Sequence, residues 1–205
     1  MRVAIVDYGL GNLTSVAGAV QALGFEPLVT ADPKAVVAAD RIILPGVGAF
    51  GDGIRQLRAR GMIEALEAAR RKARPILGIC LGAQLMCRTS EEFGPHEGLG
   101  WIDAKVRLLR PNDPSLRVPH VGWDNFLRTG SSLLLDDIPE GALFYFVHSY
   151  AIHCAQSDPV IGACDYGETF TAAFAIDQIY GVQFHPEKSQ KHGLALLRNF
   201  ITKTG

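Results

Sequence analysis

Length, composition and charge restrict the class of protein before any motif is considered. The chain has 205 residues, of which 48% are hydrophobic and 20% charged, and this composition argues against disorder. A formal net charge of -1 gives no reason to expect a nucleic-acid or membrane-surface partner. No apolar run approaches the roughly 20 residues of a membrane span. We therefore expect a single domain over residues 1–205, located in the cytoplasm.

The four cysteines are expected to be free thiols. The chain is not short, and its first apolar run is typical of a strand rather than of an export signal. No CxxC pair and no Cys/His spacing typical of zinc occurs. Neither a metal nor another cofactor is predicted.

The first half of the chain alternates strand and helix patterns. Val3–Asp7 is typical of a strand buried on both faces, and the apolar residues of Leu13–Leu23 follow helical spacing. Further strands are predicted at Phe25–Thr30, Arg41–Leu44 and Pro75–Cys80, and further helices at 33–39, 63–73 and Leu81–Arg88. This alternation predicts a parallel sheet flanked by helices, with right-handed crossovers.

Beyond Gly94 the pattern changes to short β-like runs separated by turn residues. These runs are Trp101–Leu109, Arg117–Phe126, Leu143–Ile152, Val160–Cys164, Phe170–Ile176 and Gln178–Phe184. We expect them to form an antiparallel extension of the same sheet, followed by a helix at Gly193–Ile201. The predicted fold class is α/β, with an open, twisted, mostly parallel sheet flanked by helices and an antiparallel extension in the second half.

The pentapeptide Gly78-Ile79-Cys80-Leu81-Gly82 lies between a predicted strand and a predicted helix, which is the context of a nucleophile elbow. Its glycines permit a sharp turn that exposes the nucleophile at the carboxyl end of the sheet, where open α/β sheets bind ligands. A lone cysteine is more often a buried structural thiol, and Cys87, Cys154 and Cys164 are interpreted in that way. The paired glycines indicate that Cys80 is a nucleophile.

A cysteine nucleophile needs a base that is oriented by a third group. His185-Pro186-Glu187 follows a predicted strand and supplies both kinds of residue. Because alternate residues of an extended segment point the same way, we expect His185 and Glu187 to face one site. The other histidines are interpreted as structural or surface residues, with His120 and His148, in aromatic-rich runs, left open.

A third segment, Pro45-Gly46-Val47-Gly48, places two glycines at the end of a predicted strand. Free backbone N–H groups there can face a developing negative charge, and a peptide so rich in glycine can flip to make or remove such a donor. Taken alone, the segment is more typical of a plain tight turn.

These segments, in this order, resemble the class I (triad) glutamine amidotransferases, a family with a flavodoxin-like fold, and more closely the glutaminase subunits of imidazole glycerol phosphate synthases. The matching stretches span nearly the whole chain. They are Asp7–Leu13, Pro45–Phe50, Gly78–Gln84, Pro119–Trp123, Phe144–Tyr150 and His185–Ser189.

The resemblance implies a glutaminase in which Cys80 forms a γ-glutamyl thioester. His185 would act as general base and then as general acid, and Glu187 would orient it. The residues implied in oxyanion and L-glutamine binding are Gly46, Val47, Gly48, Leu81, Gln84, Ser149 and Tyr150.

The resemblance also implies a heterodimer with a (β/α)8-barrel cyclase that receives the ammonia for histidine biosynthesis. The positions that match the expected interface are Tyr8, Asn12, Trp123, Tyr145 and Lys188. We expect the isolated chain to be a poor glutaminase, because the oxyanion donor of the flexible Pro45–Gly48 segment stays misaligned until the partner binds.

Two positions depart from the family pattern. Ala83 stands where Met is usual, and Asp124 stands where Asn is usual. The second departure leaves open a paralogue that serves a different synthase, for example one that aminates a sugar. A non-catalytic regulatory subunit is a third possibility, although the intact Cys–His–Glu set argues against it.

Overall fold

The computed structural model describes residues 1–204, in which twelve strands form one large sheet and two more form a small separate sheet. The parallel part runs in the order β2-β1-β3-β4-β14, with β1 (Val3–Val6), β2 (Pro27–Thr30), β3 (Arg41–Gly46), β4 (Ile76–Cys80) and β14 (Ile179–Val182). The helices are α1 (Leu13–Ala22), α2 (Pro33–Val37), α3 (Phe50–Ala59), α4 (Met62–Arg71), α5 (Leu81–Leu85) and α6 (Gln190–Thr202).

The remaining strands come from the middle of the chain. They are β5 (Cys87–Ser90), β6 (His96–Glu97), β7 (Ile102–Leu108), β8 (His120–Asn125), β9 (Leu127–Arg128), β10 (Leu143–His148), β11 (Tyr150–Cys154), β12 (Val160–Asp165) and β13 (Thr169–Ile176). β13 pairs antiparallel with β14, and the sheet continues through β11 and β7 with further antiparallel pairs. The predicted α/β fold class, with its parallel half and antiparallel extension, is confirmed.

Helix boundaries in the first half follow from local capping chemistry. The Asn12 side chain accepts a hydrogen bond from the Ser15 amide at the start of α1, and Gly24 just after the helix has a left-handed φ of 86°. Asp32 caps α2 by accepting from the Lys34 amide, and Pro33 follows it at the first helical position. These capping residues bear out the helix starts predicted from the sequence.

Two hydrophobic cores lie on the two faces of the large sheet. One contains α1 and α6, through residues such as Val16 and Phe200. The other contains α2, α3, α4 and α5, through residues such as Leu57 and Leu66. Because both faces are covered, the central strands β1 and β4 are buried along their whole length. Within residues 1–204 no helix is long and apolar enough to cross a lipid bilayer.

The helix predicted at Leu81–Arg88 is too long, since α5 ends at Leu85. The Leu85 and Met86 carbonyls accept hydrogen bonds from the Leu99 and Trp101 amides, which draws the chain out of the helix. Cys87 therefore begins strand β5, which pairs with β7, and does not lie inside a helix. It remains a buried structural thiol.

Helix α3 was missing from the sequence prediction. Its buried residues Phe50, Ile54 and Leu57 follow helical spacing, but Gly51 and Gly53 lower the intrinsic helix propensity of the segment. A Cβ at Gly53 would lie 3.0 Å from a methyl group of Leu85. Close packing against α5 therefore favours glycine here, and tertiary contacts override local propensity.

The run Leu143–Ile152 was expected to be one strand of the main sheet and is two. β10 pairs antiparallel with β8 as the small separate sheet, whereas β11 joins the main sheet beside β7. Ser149 separates the two strands. The expectation that every β-like run of the second half extends the main sheet is therefore wrong for β8 and β10.

Candidate active site

Cys80 lies at the junction of β4 and α5, with φ 52° and ψ -111°. A Cβ on Gly78 would lie 2.6 Å from the Ala83 Cα, and a Cβ on Gly82 would lie 1.8 Å from the Leu44 carbonyl oxygen. Both positions therefore require glycine, and the strained turn is the one expected of a nucleophile elbow. The turn holds the Cys80 thiol at the carboxyl end of the parallel sheet.

His185 follows β14, which pairs in parallel with β4, so the imidazole is brought to the same edge of the sheet as Cys80. Nδ1 of His185 lies 2.8 Å from Oε1 of Glu187, and these side chains are only 2% and 1% exposed. The segment Pro186–Lys188 is a 3-10 turn, not the extended strand on which the sequence argument relied. The two side chains meet because this turn folds the carboxylate back onto the ring.

Cys80 and His185 line one cavity of about 460 Å³. Burial lowers the pKa of His185, but the charge of Cys80 and the hydrogen-bonded Glu187 carboxylate outweigh burial and raise it to about 10. Nε2 of His185 makes no hydrogen bond within residues 1–204, so it has no formed bond to the Cys80 thiol that lines the same cavity. The Glu187 carboxylate occupies Nδ1 and leaves Nε2 as the nitrogen available for chemistry.

Most residues expected to bind glutamine lie at the same cavity. Those that line it are Val47, Gly48, Leu81, Gln84, Ser149 and Tyr150. Gly46 is buried behind them, opposite Cys80 in the β3–β4 register. The Gln84 side chain is already engaged, since its amide donates to the Tyr150 carbonyl at 2.8 Å.

Gln183 is a site residue that the sequence did not indicate. Its side-chain amide donates to the Cys80 sulfur at 3.9 Å and its oxygen accepts from Gln84 at 3.2 Å. The residue is fully buried and lies between the end of β14 at Val182 and His185. Side-chain amides therefore connect Gln84, at the cavity, to the Cys80 thiol through Gln183. The sequence did not indicate this connection because it depends on the pairing of β14 with β4.

Glu92 and His148 also line the cavity, although the sequence did not predict either residue at the site. The Glu92 carboxylate accepts from the Phe50 amide at 2.8 Å, and burial is the main cause that raises its pKa. Burial and the neighbouring His120 lower the pKa of His148 to about 3, so its ring is neutral. Its Nδ1 lies 3.0 Å from the Tyr150 carbonyl oxygen, which helps to hold the backbone that borders the pocket.

Three residues predicted at a partner interface form one surface cluster. Trp123 and Tyr145 pack edge to face with ring centroids 5.9 Å apart, and the Lys188 ammonium lies 5.6 Å from the Tyr145 ring. Asn12 is half-buried and caps α1. Tyr8 is a correction to the sequence prediction, because its side chain is fully buried and offers no surface to a partner.

Comparison with known families identifies the class of protein that has this fold and this arrangement of Cys80, His185 and Glu187. Residues 4–204 match the family model described as glutamine amidotransferase class-I, and the chain belongs to that family. It is 47% identical over 206 residues to imidazole glycerol phosphate synthase subunit HisH 2 of Nitrobacter winogradskyi, with 98% of this chain and 97% of the relative covered. It is also 48% identical over 200 residues to imidazole glycerol phosphate synthase subunit HisH of Sulfurimonas denitrificans. That match covers 97% of this chain and 96% of the relative.

Similarity to solved structures extends the fold assignment to distant relatives. PurLQS from Thermotoga maritima matches with a TM-score of 0.70 at 18% identity, with 98% of this chain and 97% of that chain covered. At this identity the match shows the fold alone. The mostly parallel sheet with its antiparallel extension is therefore shared by the two chains.

Proposed function

We propose that this chain is the glutaminase subunit of imidazole glycerol phosphate synthase, which releases ammonia from L-glutamine and passes it to a synthase partner. The main observation in support is that Cys80 and His185 line one cavity, while Glu187 is hydrogen-bonded to Nδ1 of the His185 ring. The names of relatives 47% and 48% identical over nearly the whole chain support the assignment to this synthase. One glutaminase domain spans residues 1–205.

The proposed reaction proceeds through a thioester. His185, whose Nδ1 is held by Glu187, accepts the proton of the Cys80 thiol at Nε2. The thiolate attacks the side-chain amide carbon of glutamine, and His185 gives its proton to the amide nitrogen as the C–N bond breaks and ammonia leaves. Water then attacks the thioester, His185 takes a proton from that water, and the C–S bond breaks to release glutamate.

Backbone amides are proposed to stabilise the oxyanion of both steps. The Leu81 amide is the first N–H of α5 and follows the nucleophile directly, as in nucleophile-elbow enzymes. A second donor comes from the segment Gly46–Gly48, which ends β3 beside Cys80. Glu92 is the acidic side chain at the cavity, and we assign it to the α-ammonium group of glutamine.

An apolar surface beside the cavity supports a docked partner. The outward side of the small β8–β10 sheet carries Val121, Trp123, Leu143, Tyr145 and Val147. Trp123 is 43% and Val121 56% exposed, and Val147 also lines the active-site cavity. A contiguous exposed apolar patch of this kind is typical of a protein–protein interface. We propose that it binds a (β/α)8-barrel cyclase, which covers the cavity and receives the ammonia.

Replacement of the nucleophile tests the proposal. A Cys80→Ala complex should lose glutamine-dependent product formation and retain product formation from added ammonia. Cys164→Ala, which removes a buried thiol of the core outside the cavity, is the matched control and should retain both activities. Glutamine-dependent turnover by the Cys80→Ala complex would contradict the proposed chemistry.

The identity of the partner needs a separate test, because a paralogue for another synthase would use the same site. The departure at Asp124 has a local explanation, since its carboxylate lies 3.4 Å from Nε2 of the buried His120. A copurifying barrel cyclase whose glutamine-dependent activity is restored by this chain would support the histidine pathway. Copurification with a sugar-aminating synthase instead would contradict it.

A further inference from the structure

Tyr8, in the loop between β1 and α1, reaches the back of the proposed oxyanion site. β1 pairs with β3, so this loop lies beside the carboxyl end of β3. A Cβ added to Gly46 would lie 2.3 Å from the Tyr8 hydroxyl oxygen and 2.8 Å from the Leu81 Cβ. The hydroxyl therefore occupies the space that any side chain at position 46 would need.

The Tyr8 hydroxyl has no hydrogen-bond partner within residues 1–204, although the side chain is fully buried. Native proteins rarely leave a buried hydroxyl unpaired, because such a group has lost its hydrogen bonds to water without replacement. Burial and then the charge of Cys80 raise the pKa of Tyr8 above its usual value. The group thus stays protonated and available as a donor.

The backbone beside this hydroxyl is the segment that ends β3. Gly46 is the last residue of β3, while Val47 and Gly48 line the active-site cavity, which Tyr8 does not. In a trans peptide the C=O and the N–H point in opposite directions. A Gly46 carbonyl turned towards Tyr8 therefore turns the Val47 amide away from Tyr8 and towards the cavity.

We propose that the Tyr8 hydroxyl is a positioning group that donates to the Gly46 carbonyl in the catalytic arrangement and thereby directs the Val47 amide at the oxyanion. In the resting arrangement this bond is absent and the hydroxyl is unpaired. The inference rests on the proposed glutaminase function and adds to it a residue outside the substrate cavity.

The substitution Tyr8→Phe removes only the hydroxyl and separates this role from a structural one. The thermal midpoint of the free chain should stay equal or rise, because an unpaired polar atom is removed from the interior. With the synthase partner bound, kcat for glutamine hydrolysis should fall about tenfold, the worth of one hydrogen bond made only in the catalytic arrangement. KM for glutamine should stay unchanged, since Tyr8 does not contact the substrate.

Two controls accompany this variant. Tyr8→Leu should lower the thermal midpoint, because it removes the buried ring as well. Alkylation of Cys80 by iodoacetamide should proceed at the wild-type rate in Tyr8→Phe, since the thiol and its base are retained. A wild-type kcat for Tyr8→Phe, or a clearly lower thermal midpoint, would overturn the inference. Failure of the proposed function would give a different result, because glutamine turnover would then persist in the Cys80→Ala variant.

Discussion

The Glu187 carboxylate lies 2.8 Å from Nδ1 of His185, and both side chains are almost completely buried. A carboxylate in this position favours the protonated ring and leaves only Nε2 free to exchange a proton with the thiol. The relationship depends on the 3-10 turn at Pro186–Lys188. It gives Glu187 an orienting role that can be measured separately from substrate binding.

Glu187→Gln should lower kcat for glutamine hydrolysis by about 100-fold or more, because a neutral amide no longer stabilises or orients the imidazolium. The pKa of His185 should fall at the same time, which NMR titration of the ring would record. Glu26→Gln, at an exposed position, is the matched control. An unchanged His185 pKa would show that the carboxylate has no such role.

The raised pKa of His185 also predicts how stability depends on pH. The folded value of about 10 lies above the ordinary 6.5, so protonated His185 stabilises the native state fully below pH 6.5. This contribution is lost as the pH rises through 10. The difference in unfolding free energy between the wild type and Glu187→Gln, from urea titrations, should therefore shrink as the pH rises through that range. A difference that grows towards high pH would contradict the assigned direction of the shift.

The glycines of the elbow should tolerate no side chain. Gly82→Ala would place a Cβ 1.8 Å from the Leu44 carbonyl oxygen, so the backbone of β3 must move. We expect a loss of about 3 kcal/mol in the free energy of unfolding. Gly18→Ala in α1 has open space around the new Cβ and should stabilise by about 0.5–1 kcal/mol. Equal effects of the two changes on urea unfolding would disprove the steric argument.

Glu92→Gln should raise KM for glutamine about 10- to 100-fold, the worth of a charge-assisted hydrogen bond to the α-ammonium group. The effect on kcat should be smaller, because Glu92 is assigned to the bound substrate and not to the reacting amide. Glu97→Gln, at an exposed position outside this cavity, serves as the control. A normal KM with a reduced kcat would contradict the assignment of Glu92 to the α-ammonium group and would indicate a role in the chemical step.

Trp123→Ala should weaken binding of the synthase partner by about tenfold or more, since exposed aromatic residues at interfaces contribute most to affinity. The thermal midpoint should change little, because the side chain is 43% exposed. Leu28→Ala, similarly exposed on the edge strand β2, is a control that should bind normally. Calorimetric titration with the copurified partner measures both variants, and equal affinities would place the interface elsewhere.

The sequence predicted the parts of the site that depend on local sterics. Gly78 and Gly82 flank Cys80 because the turn leaves no room for a Cβ, and that requirement is visible in the pentapeptide itself. The pairing of His185 with Glu187 was also predicted, although from an extended geometry that the 3-10 turn replaces.

Features set by distant contacts could not be predicted in this way. Glu92 reaches the cavity through a hydrogen bond from the Phe50 amide, 42 residues away. Gln183 reaches Cys80 only because β14 pairs with β4. Tyr8 matches a position expected at the partner interface, but it is fully buried, which follows from the position of β1 beside β3.

The most direct measurement is the mass of the protein–partner complex after acid quenching during glutamine turnover. We expect a mass increase of one γ-glutamyl group that peptide mapping assigns to Cys80 and that is absent from Cys80→Ala. An adduct on any other residue, or steady-state turnover with no adduct on Cys80, would contradict catalysis through a Cys80 thioester.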